Sequence, residues 1–172
     1  MERDLGSITR LQVQRDPLKV KGESYDPAGI LQVREASIDA TGMLGSHDGS
    51  WVVDAHHAGH PRARAGGRRA LSIGFAGHYA EMAQRFGAAD LGCAGENIVL
   101  DTPGRVTLED LAGEIVIHSN DGSVVLSVSQ VAAPCAEFTS WIKGLDQVIP
   151  KRDQAEDVDF LDHGTRGFIL DV

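Results

Sequence analysis

The alternation of apolar and polar residues along the chain predicts mostly β-strands. Residues 7–14 alternate with a period close to two, as expected of a strand that buries one of its faces. Short apolar runs at 51–53, 70–73 and 97–100 predict three more strands, and residues 167–172 predict a final one. Strands therefore dominate the expected architecture.

A hairpin is predicted within residues 114–128. Two runs rich in valine and isoleucine, 114–118 and 123–128, flank the sequence Ser-Asn-Asp-Gly at 119–122. Asp-Gly between such runs is a strong turn signal, because tight hairpin turns require positive φ angles. We therefore expect these two strands to pair antiparallel.

Two helices are predicted among the strands. Apolar side chains at 75, 79, 82, 83 and 86 form one stripe of an amphipathic helix, and Gly87 is its expected stop. A second, shorter helix is expected from near Cys135 to Gly144, whereas the acidic residues 151–162 predict a solvated or partly mobile excursion. The resulting expectation is an α+β fold, mainly β, with a β-barrel-like arrangement of strands and two or more short helices.

Length and charge narrow the classes of function. The 172 residues fit one domain, 1–172, and the net charge of −9 argues against general binding to nucleic acid or to a membrane surface. A local basic pocket remains compatible with that charge. The chain has two cysteines, no apolar signal-peptide segment at its start and no run long enough to span a membrane, so a reducing, cytoplasmic location is expected.

Cys135 is the first candidate for chemistry. Pro134 is favoured at the first position of a helix, which predicts Cys135 in the first helical turn. Free backbone N–H groups and the positive end of the helix dipole favour a thiolate over a thiol there. Such a thiolate suits sulfur transfer or metal ligation, and the alternative is a small, inert, buried side chain. Cys93 lies in a glycine-rich turn and is left out of the mechanism.

Three histidines close together are the second candidate. His56, His57 and His60 lie within five residues and can supply neutral imidazoles to zinc or iron. Gly59 and Pro61 exclude a helical site, and adjacent side chains on a strand point to opposite faces, so at most one of the first two histidines joins His60. The alternative is a loop whose histidines only form hydrogen bonds.

An arginine-rich loop and a glycine-rich turn complete the candidates. The loop carries four arginines around Gly66-Gly67 and predicts either an anion clamp or a solvated basic loop; they are Arg62, Arg64, Arg68 and Arg69. In the turn Gly92–Asn97, the glycines allow close approach to a ligand. Glu96 and Asn97 either orient that ligand or satisfy backbone groups of the turn.

These elements, in this order, resemble the molybdenum-cofactor-sulfurase C-terminal (MOSC) family. The matching segments are Gly42-Met43-Leu44-Gly45, His57-Ala58-Gly59, Ala70-Leu71-Ser72-Ile73, His78-Tyr79, Gly95-Glu96-Asn97, Gly113-Glu114, Pro134-Cys135 and Thr165-Arg166-Gly167-Phe168. The resemblance spans most of the chain and is densest from His57 to Cys135. It departs from the family at Ala132 and Ala133, where many members carry a basic residue.

The resemblance implies a β-rich barrel in which Cys135 is a sulfur carrier or a molybdenum ligand. It implies that the arginine loop meets the phosphate of a pterin cofactor, and that His57, Glu96, Asn97 and Arg166 line the same pocket. The implied cofactor is molybdopterin with molybdenum. The implied partners are a pterin or other small-molecule ligand and a sulfur-donor or reductase protein.

Three hypotheses for the function follow. The first is a sulfur-transfer or molybdenum-cofactor-binding protein that uses Cys135. The second is a metal-dependent enzyme that acts on a small anion, with zinc or iron held by His60, by His56 or His57, and in one version by Cys135. The third is a non-catalytic binding module in which Cys135 is merely packed. Sequence alone leaves open whether the protein is an enzyme.

Overall fold

The computed structural model of the protein describes residues 3–63 and 70–172. Within these ranges the helices are α1 (Ala76–Phe86), α2 (Ala136–Ile142) and α3 (Ala155–Leu161). The strands are β1 (Ile8–Gln14), β2 (Lys19–Val20), β3 (Ser24–Tyr25), β4 (Ile30–Val33), β5 (Ala36–Asp39), β6 (Gly42–His47), β7 (Ser50–Val53), β8 (Leu71–Phe75), β9 (Ile98–Leu100), β10 (Glu114–Ser119), β11 (Gly122–Val131) and β12 (Phe168–Asp171). The fold is therefore mixed α+β and mainly β, as the alternation of residues predicts.

The main sheet has seven strands in the order β10-β11-β12-β8-β9-β1-β4. All neighbours in it are antiparallel except β8 and β9, which are parallel. Parallel strands need a crossover connection, and α1 lies in the one between β8 and β9. A three-stranded sheet, β5-β6-β7, and a short β2-β3 pair complete the strands of the described part of the chain.

The expected barrel is not confirmed. In the described residues, the end strands of the main sheet, β10 and β4, pair with only one neighbour each. The strands β5, β6 and β7 form a separate sheet beside them rather than a bridge between them. A closed barrel requires a continuous hydrogen-bonded ladder around its circumference, and this pairing leaves the sheets open.

The predicted hairpin and the first predicted helix are confirmed. β10 and β11 pair from Glu114↔Ser127 to Ser119↔Gly122, so a two-residue loop joins them. The positive φ of this turn, 142°, lies at Gly122, which begins β11. Helix α1 ends at Gly87, whose φ of 89° is left-handed and whose N–H donates to Ala83 O.

Two apolar clusters lie on opposite faces of the main sheet. Ile98 and Leu100 of β9 belong to one cluster, together with Phe75 and Phe168, whereas Val99 belongs to the other. This division follows from the period-two alternation of strand side chains. The second cluster is covered by the helices and contains Tyr79, Met82, Phe138, Ile142 and Leu161. The helices therefore pack on one face of the sheet.

The acidic segment 151–162 is largely solvated, as expected, but it is a packed helix rather than a partly mobile excursion. Residues 151–154 form a 3-10 turn that continues into α3, and Leu161 is fully buried. Asp157 of α3 accepts hydrogen bonds from Arg85 at 2.8 Å and is 2.7 Å from Lys143 Nζ. The acidic residues thus occupy the outer face of a packed helix, which charge composition alone does not distinguish from a mobile loop.

None of the helices in the described ranges is long and apolar enough to cross a membrane.

Candidate functional site

One row of paired residues explains where the candidate site forms. Across β11, β12, β8 and β9 the row runs through Val131, Phe168, Ile73 and Ile98. Each of three candidate residues lies a few positions beyond the end of one of these strands. Cys135 follows β11, Arg166 precedes β12 and Glu96 precedes β9. Three segments distant in sequence therefore meet at one edge of the sheet.

These three side chains line a cavity of about 350 Å³. Other walls come from the segment after β1, which contributes Lys19, and from Tyr25, His56 and Arg62. A volume of this size lies within the range of small-molecule and cofactor sites. The cavity is therefore large enough for a ligand and contains the cysteine that the sequence singles out.

Cys135 caps helix α2 rather than lying in its first turn. Its backbone is extended (φ −113°, ψ 157°), and the helix begins at Ala136. The N–H of Phe138 donates to Cys135 Sγ at 3.4 Å, as an N-cap side chain requires. The side chain is half-buried and forms no disulfide. Pro134 accordingly precedes the cap, two positions before the first helical residue, where it was predicted.

Arg166 joins the two walls of the cavity. Its Nη1 donates to Ala133 O at 3.2 Å, and its Nη2 donates to Ala94 O at 3.1 Å. Nη1 also lies 4.0 Å from Cys135 Sγ, and the guanidinium carbon is 4.3 Å from the centroid of the Phe138 ring. The guanidinium therefore brings a permanent positive charge to the cysteine sulfur while holding the surrounding backbone.

The glycine-rich turn 92–95 is held by side chains from other elements. Each of its four carbonyl oxygens accepts a side-chain hydrogen bond; in chain order the donors are Gln12 Nε2, Tyr25 OH, Arg166 Nη2 and Gln14 Nε2, at 2.7, 2.7, 3.1 and 2.7 Å. Gly95 has a φ of +92°, and a Cβ there would lie 2.7 Å from Gln14 Nε2. The turn therefore needs glycine at position 95, because any side chain there would displace the Gln14 amide from its hydrogen bond.

Glu96 is a buried acid at the cavity wall. It is 2 % exposed, and its Oε2 accepts a hydrogen bond from Tyr79 OH. Its Oε1 has no hydrogen-bond partner among the described residues and fits against Gly74 and Gly167, where a Cβ would come within 2.6 and 3.1 Å of it. Burial raises the pKa of Glu96, against the opposing effects of the Tyr79 hydrogen bond and Arg166. The carboxyl group is therefore biased toward its neutral form.

Asn97 lies behind the cavity rather than on its wall. Its Oδ1 accepts from Ser72 N and Ser72 Oγ, each at 3.0 Å. Its Nδ2 donates to Asp54 Oδ2 at 2.9 Å and to Gln12 O at 3.4 Å. These bonds connect β8, β1 and the segment after β7, so the amide is used fully within the protein.

The three histidines do not converge. His57 receives a hydrogen bond from Gly59 N at Nδ1 and contacts Thr41 Oγ1 at Nε2. His60 receives one from Arg62 N at Nδ1 and contacts Arg15 O at Nε2. Only His56 lines the cavity. Within residues 3–63 and 70–172, no group of three or more histidine, cysteine, aspartate or glutamate side chains is arranged to hold a metal ion.

Arg62, the first arginine of the predicted loop, lines the cavity. This residue lies 3.2 Å from Asp16 Oδ1 through Nη1. The predicted clamp residues Arg64, Arg68 and Arg69 fall in the segment 64–69, outside the residues that the structure describes. Sequence reasoning missed Lys19 and Tyr25, which line the cavity from β2 and β3 and carry no local motif that marks them.

The second cysteine is kept as a thiol. Cys93 is 5 % exposed, and burial, with a smaller effect of Glu96, raises the pKa of its thiol to about 12.

Around Cys135, burial alone would raise the pKa of the neighbouring Glu137, but hydrogen bonds from the Gly22 amide, its own amide and the Cys135 thiol lower it. The two cysteines therefore lie in different environments, and only Cys135 opens into the cavity.

Comparison with known proteins agrees with the order of motifs. The family model described as the MOSC domain matches residues 54–172, which include β8, α1, the turn 92–97, Cys135 and Arg166. No curated protein and no solved structure matches the chain significantly. Because the family model covers well over half of the sequence, the chain belongs to the MOSC domain family.

Proposed function

We propose that the cavity is the functional site of the protein and that Cys135 carries sulfur there as a persulfide. The observation that supports this proposal is the half-buried Cys135 thiol in a cavity with the Arg166 guanidinium 4.0 Å from its sulfur. The N–H of Phe138 donates to the same sulfur. Both contacts are N–H donors that a sulfur anion formed during transfer can accept.

The charges around the cavity support the same proposal. The protein has a net charge of −9, but the cavity is lined by the basic side chains of Lys19, Arg62 and Arg166, of which Arg62 is paired with Asp16. Among the described residues that line it, Glu96 alone carries a carboxyl group, and burial raises the pKa of that group. A concave surface of one sign concentrates ligands of the opposite sign. The cavity therefore suits a small anionic sulfur compound in an otherwise acidic protein.

The chemistry of sulfur loading balances without an oxidant. The Cys135 thiolate attacks the outer sulfur of a donor persulfide, R–S–SH, and a new S–S bond forms at Sγ. The S–S bond of the donor breaks, and the donor leaves as a thiolate with the electron pair. Cys135 then carries –S–SH and can pass its outer sulfur to an acceptor by the same exchange. The donor and the acceptor are proposed partners, either small molecules or proteins.

Intact-mass spectrometry of three proteins tests the proposal. Wild type, Cys93→Ser and Cys135→Ser are incubated with glutathione persulfide and freed of excess reagent. We expect wild type and Cys93→Ser to gain the mass of one sulfur atom, removable by dithiothreitol, and Cys135→Ser to gain none. Loading of Cys135→Ser to the wild-type extent, or no loading of any of the three proteins, would refute the proposal.

Binding of the molybdenum cofactor is the second candidate function, and the size of the cavity favours it. The residues present fit such a group: Cys135 offers a sulfur ligand, and Lys19 and Arg62 suit a phosphate. Arg166 Nε is a buried donor with no partner in the described part of the chain. When bound, the cofactor would supply a molybdenum centre that takes a thiolate as ligand.

Elemental analysis tests this second candidate. Wild type and Cys135→Ala are purified from molybdate-fed cells, and molybdenum, phosphorus, zinc and iron are measured per chain. Molybdenum with matching phosphorus in the wild type, lost in Cys135→Ala, is the expected result for cofactor binding. Zinc or iron without molybdenum would refute cofactor binding, and no metal in either protein would leave sulfur carriage alone.

A further inference from the structure

A carboxylate–histidine pair at the cavity has no role in the function proposed above. Asp54 lies immediately after β7 and is fully buried, and His56 follows in the same turn. The ring nitrogen His56 Nδ1 lies 3.2 Å from Asp54 Oδ1. His56 is also one of the residues that line the cavity containing Cys135.

Asp54 is held rigidly as an acceptor. Its Oδ2 accepts from Gln14 N at 2.7 Å and from Asn97 Nδ2 at 2.9 Å. Its Oδ1 accepts from the backbone N–H of His56 at 2.8 Å. With three N–H groups already donating to it, the carboxylate favours a fourth donor at the remaining position, and Nδ1–H of His56 supplies it.

This arrangement selects one tautomer of His56. With the proton on Nδ1, the neutral ring carries a lone pair on Nε2. Nε2 has no hydrogen-bond partner within residues 3–63 and 70–172, and the side chain is 43 % exposed. Both ring nitrogens of His57 and of His60, by contrast, are already in contact with protein groups. The pair thus has the form of a base oriented by a buried carboxylate.

We propose that His56, oriented by Asp54, is the proton-transfer residue of the cavity and serves exchange with a persulfide donor. The inference rests on the proposed role of Cys135. Nε2 takes the proton released by the Cys135 thiol, and the thiolate then attacks the outer sulfur of the donor. As the S–S bond of the donor breaks, Nε2 returns that proton to the leaving thiolate. The net exchange is Cys135–SH plus R–S–SH giving Cys135–S–SH plus R–SH.

Chemical rescue of a truncated side chain tests this inference. The rate of loading of Cys135 from glutathione persulfide is measured near neutral pH for wild type, His56→Ala and His60→Ala. The backbone N–H of residue 56 still donates to Asp54 in His56→Ala, so the turn keeps that bond. We expect His56→Ala to load about a hundred-fold more slowly and added imidazole to restore most of the rate. His60→Ala is the matched control, because His60 belongs to the same turn but not to the cavity lining.

The possible outcomes separate this inference from the proposed function. Absence of loading in the wild type would refute the role of Cys135. If the wild type loads and the rate for His56→Ala lies within two-fold of the wild-type rate, the role of His56 is overturned and the role of Cys135 stands. A loss in His56→Ala that imidazole does not restore, or an equal loss in His60→Ala, would assign these histidines to the structure of the turn and would also overturn it.

Nitrogen-15 NMR of the histidine rings gives a readout that does not depend on sulfur transfer. We expect neutral His56 to carry its proton on Nδ1, and we expect Asp54→Asn to shift the population toward Nε2–H. A wild-type His56 with its proton on Nε2 would overturn the inference, because that tautomer presents no lone pair to the cavity.

Discussion

The guanidinium of Arg166 lies 4.0 Å from the sulfur of Cys135, although 31 residues separate them in the sequence. The pairing of β11 with β12 brings their flanking segments together, because Val131 and Phe168 are partners in the ladder. Arg166 also holds both the backbone before Cys135 and the turn 92–95. One side chain therefore places a positive charge beside the sulfur and holds the backbone on both sides of the cavity.

We expect Arg166→Gln to lower the free energy of unfolding by about 2 kcal/mol. The variant loses two hydrogen bonds from a charged group to Ala133 O and Ala94 O, and it loses the contact with the Phe138 ring. Urea unfolding followed by tryptophan fluorescence measures the change. Arg152→Gln, at a side chain that is 85 % exposed, is the control and should change the stability little. Equal stabilities of wild type and Arg166→Gln would contradict the role of Arg166 as a clamp.

We expect Asn97→Ala to cost about 3 kcal/mol of stability, since it removes the acceptor of Ser72 N and Ser72 Oγ and one of the donors to the buried Asp54 carboxylate. The matched control is Asn120→Ala, which changes the same side chain in the exposed hairpin loop and should cost less than about 0.5 kcal/mol. Thermal unfolding of both variants checks the difference. Similar melting temperatures for the two variants would show that the buried amide network contributes little.

Gly167 and Gly87 have nearly the same positive φ, 88° and 89°, but different surroundings. A Cβ at Gly87 meets nothing within 4 Å, whereas one at Gly167 would lie 2.4 Å from Ile73 O. Gly87→Ala should therefore cost only the left-handed backbone penalty, about 1 kcal/mol. Gly167→Ala should cost at least about 3 kcal/mol or prevent folding. Denaturant unfolding compares the two, and an equal cost would mean that the close approach of β8 is not rigid.

The buried acid Glu96 should make stability depend on pH. Burial raises its folded-state pKa above the ordinary 4.5, so the folded protein holds this proton more tightly than the unfolded chain does. The stabilisation is complete below that ordinary value and is lost as the pH rises through the folded pKa. Glu96→Gln should therefore gain stability relative to wild type as the pH rises above about 4.5, by at most about 1.4 kcal/mol per pH unit. Urea unfolding across a pH series measures this gain.

A difference between Glu96→Gln and wild type that stays constant across the pH series would contradict the raised pKa. A difference that shrinks as the pH rises would show that Glu96 is stabilised as a carboxylate. Asp157→Asn is a control of opposite sign. Although burial alone would raise the pKa of Asp157, hydrogen bonds and charges from Lys143 and Arg85 outweigh it and lower the pKa, so its stabilisation is lost at low pH.

Local patterns were sufficient to predict the elements that have strong periodicity and defined stops. The hairpin around residues 119–122 and the helix that ends at Gly87 are confirmed, because turn chemistry and amphipathic spacing are local properties. The helix α3 was missed, since its outer face is acidic and its packing depends on Arg85 and Lys143 from other helical segments. Sheet closure likewise depends on long-range pairing that no local pattern determines.

The site was only partly predictable for the same reason. Motif order led to Cys135, Glu96 and Arg166, which the sheet brings to one cavity. The histidine cluster looked like one unit in sequence, but its turn directs His57 and His60 to backbone and hydroxyl partners. Lys19 and Tyr25 come from short strands with no distinctive spacing, so only the tertiary structure identifies them as cavity residues.

The most direct test of the role of Cys135 is the selectivity of alkylation in the folded protein. Iodoacetamide is added under native conditions, and peptide mapping measures the modification of each cysteine with time. We expect Cys135 to be modified and Cys93 to resist until the chain is unfolded, because burial holds Cys93 as a thiol with a pKa of about 12. Modification of Cys93 before Cys135, or resistance of Cys135 until unfolding, would contradict the account.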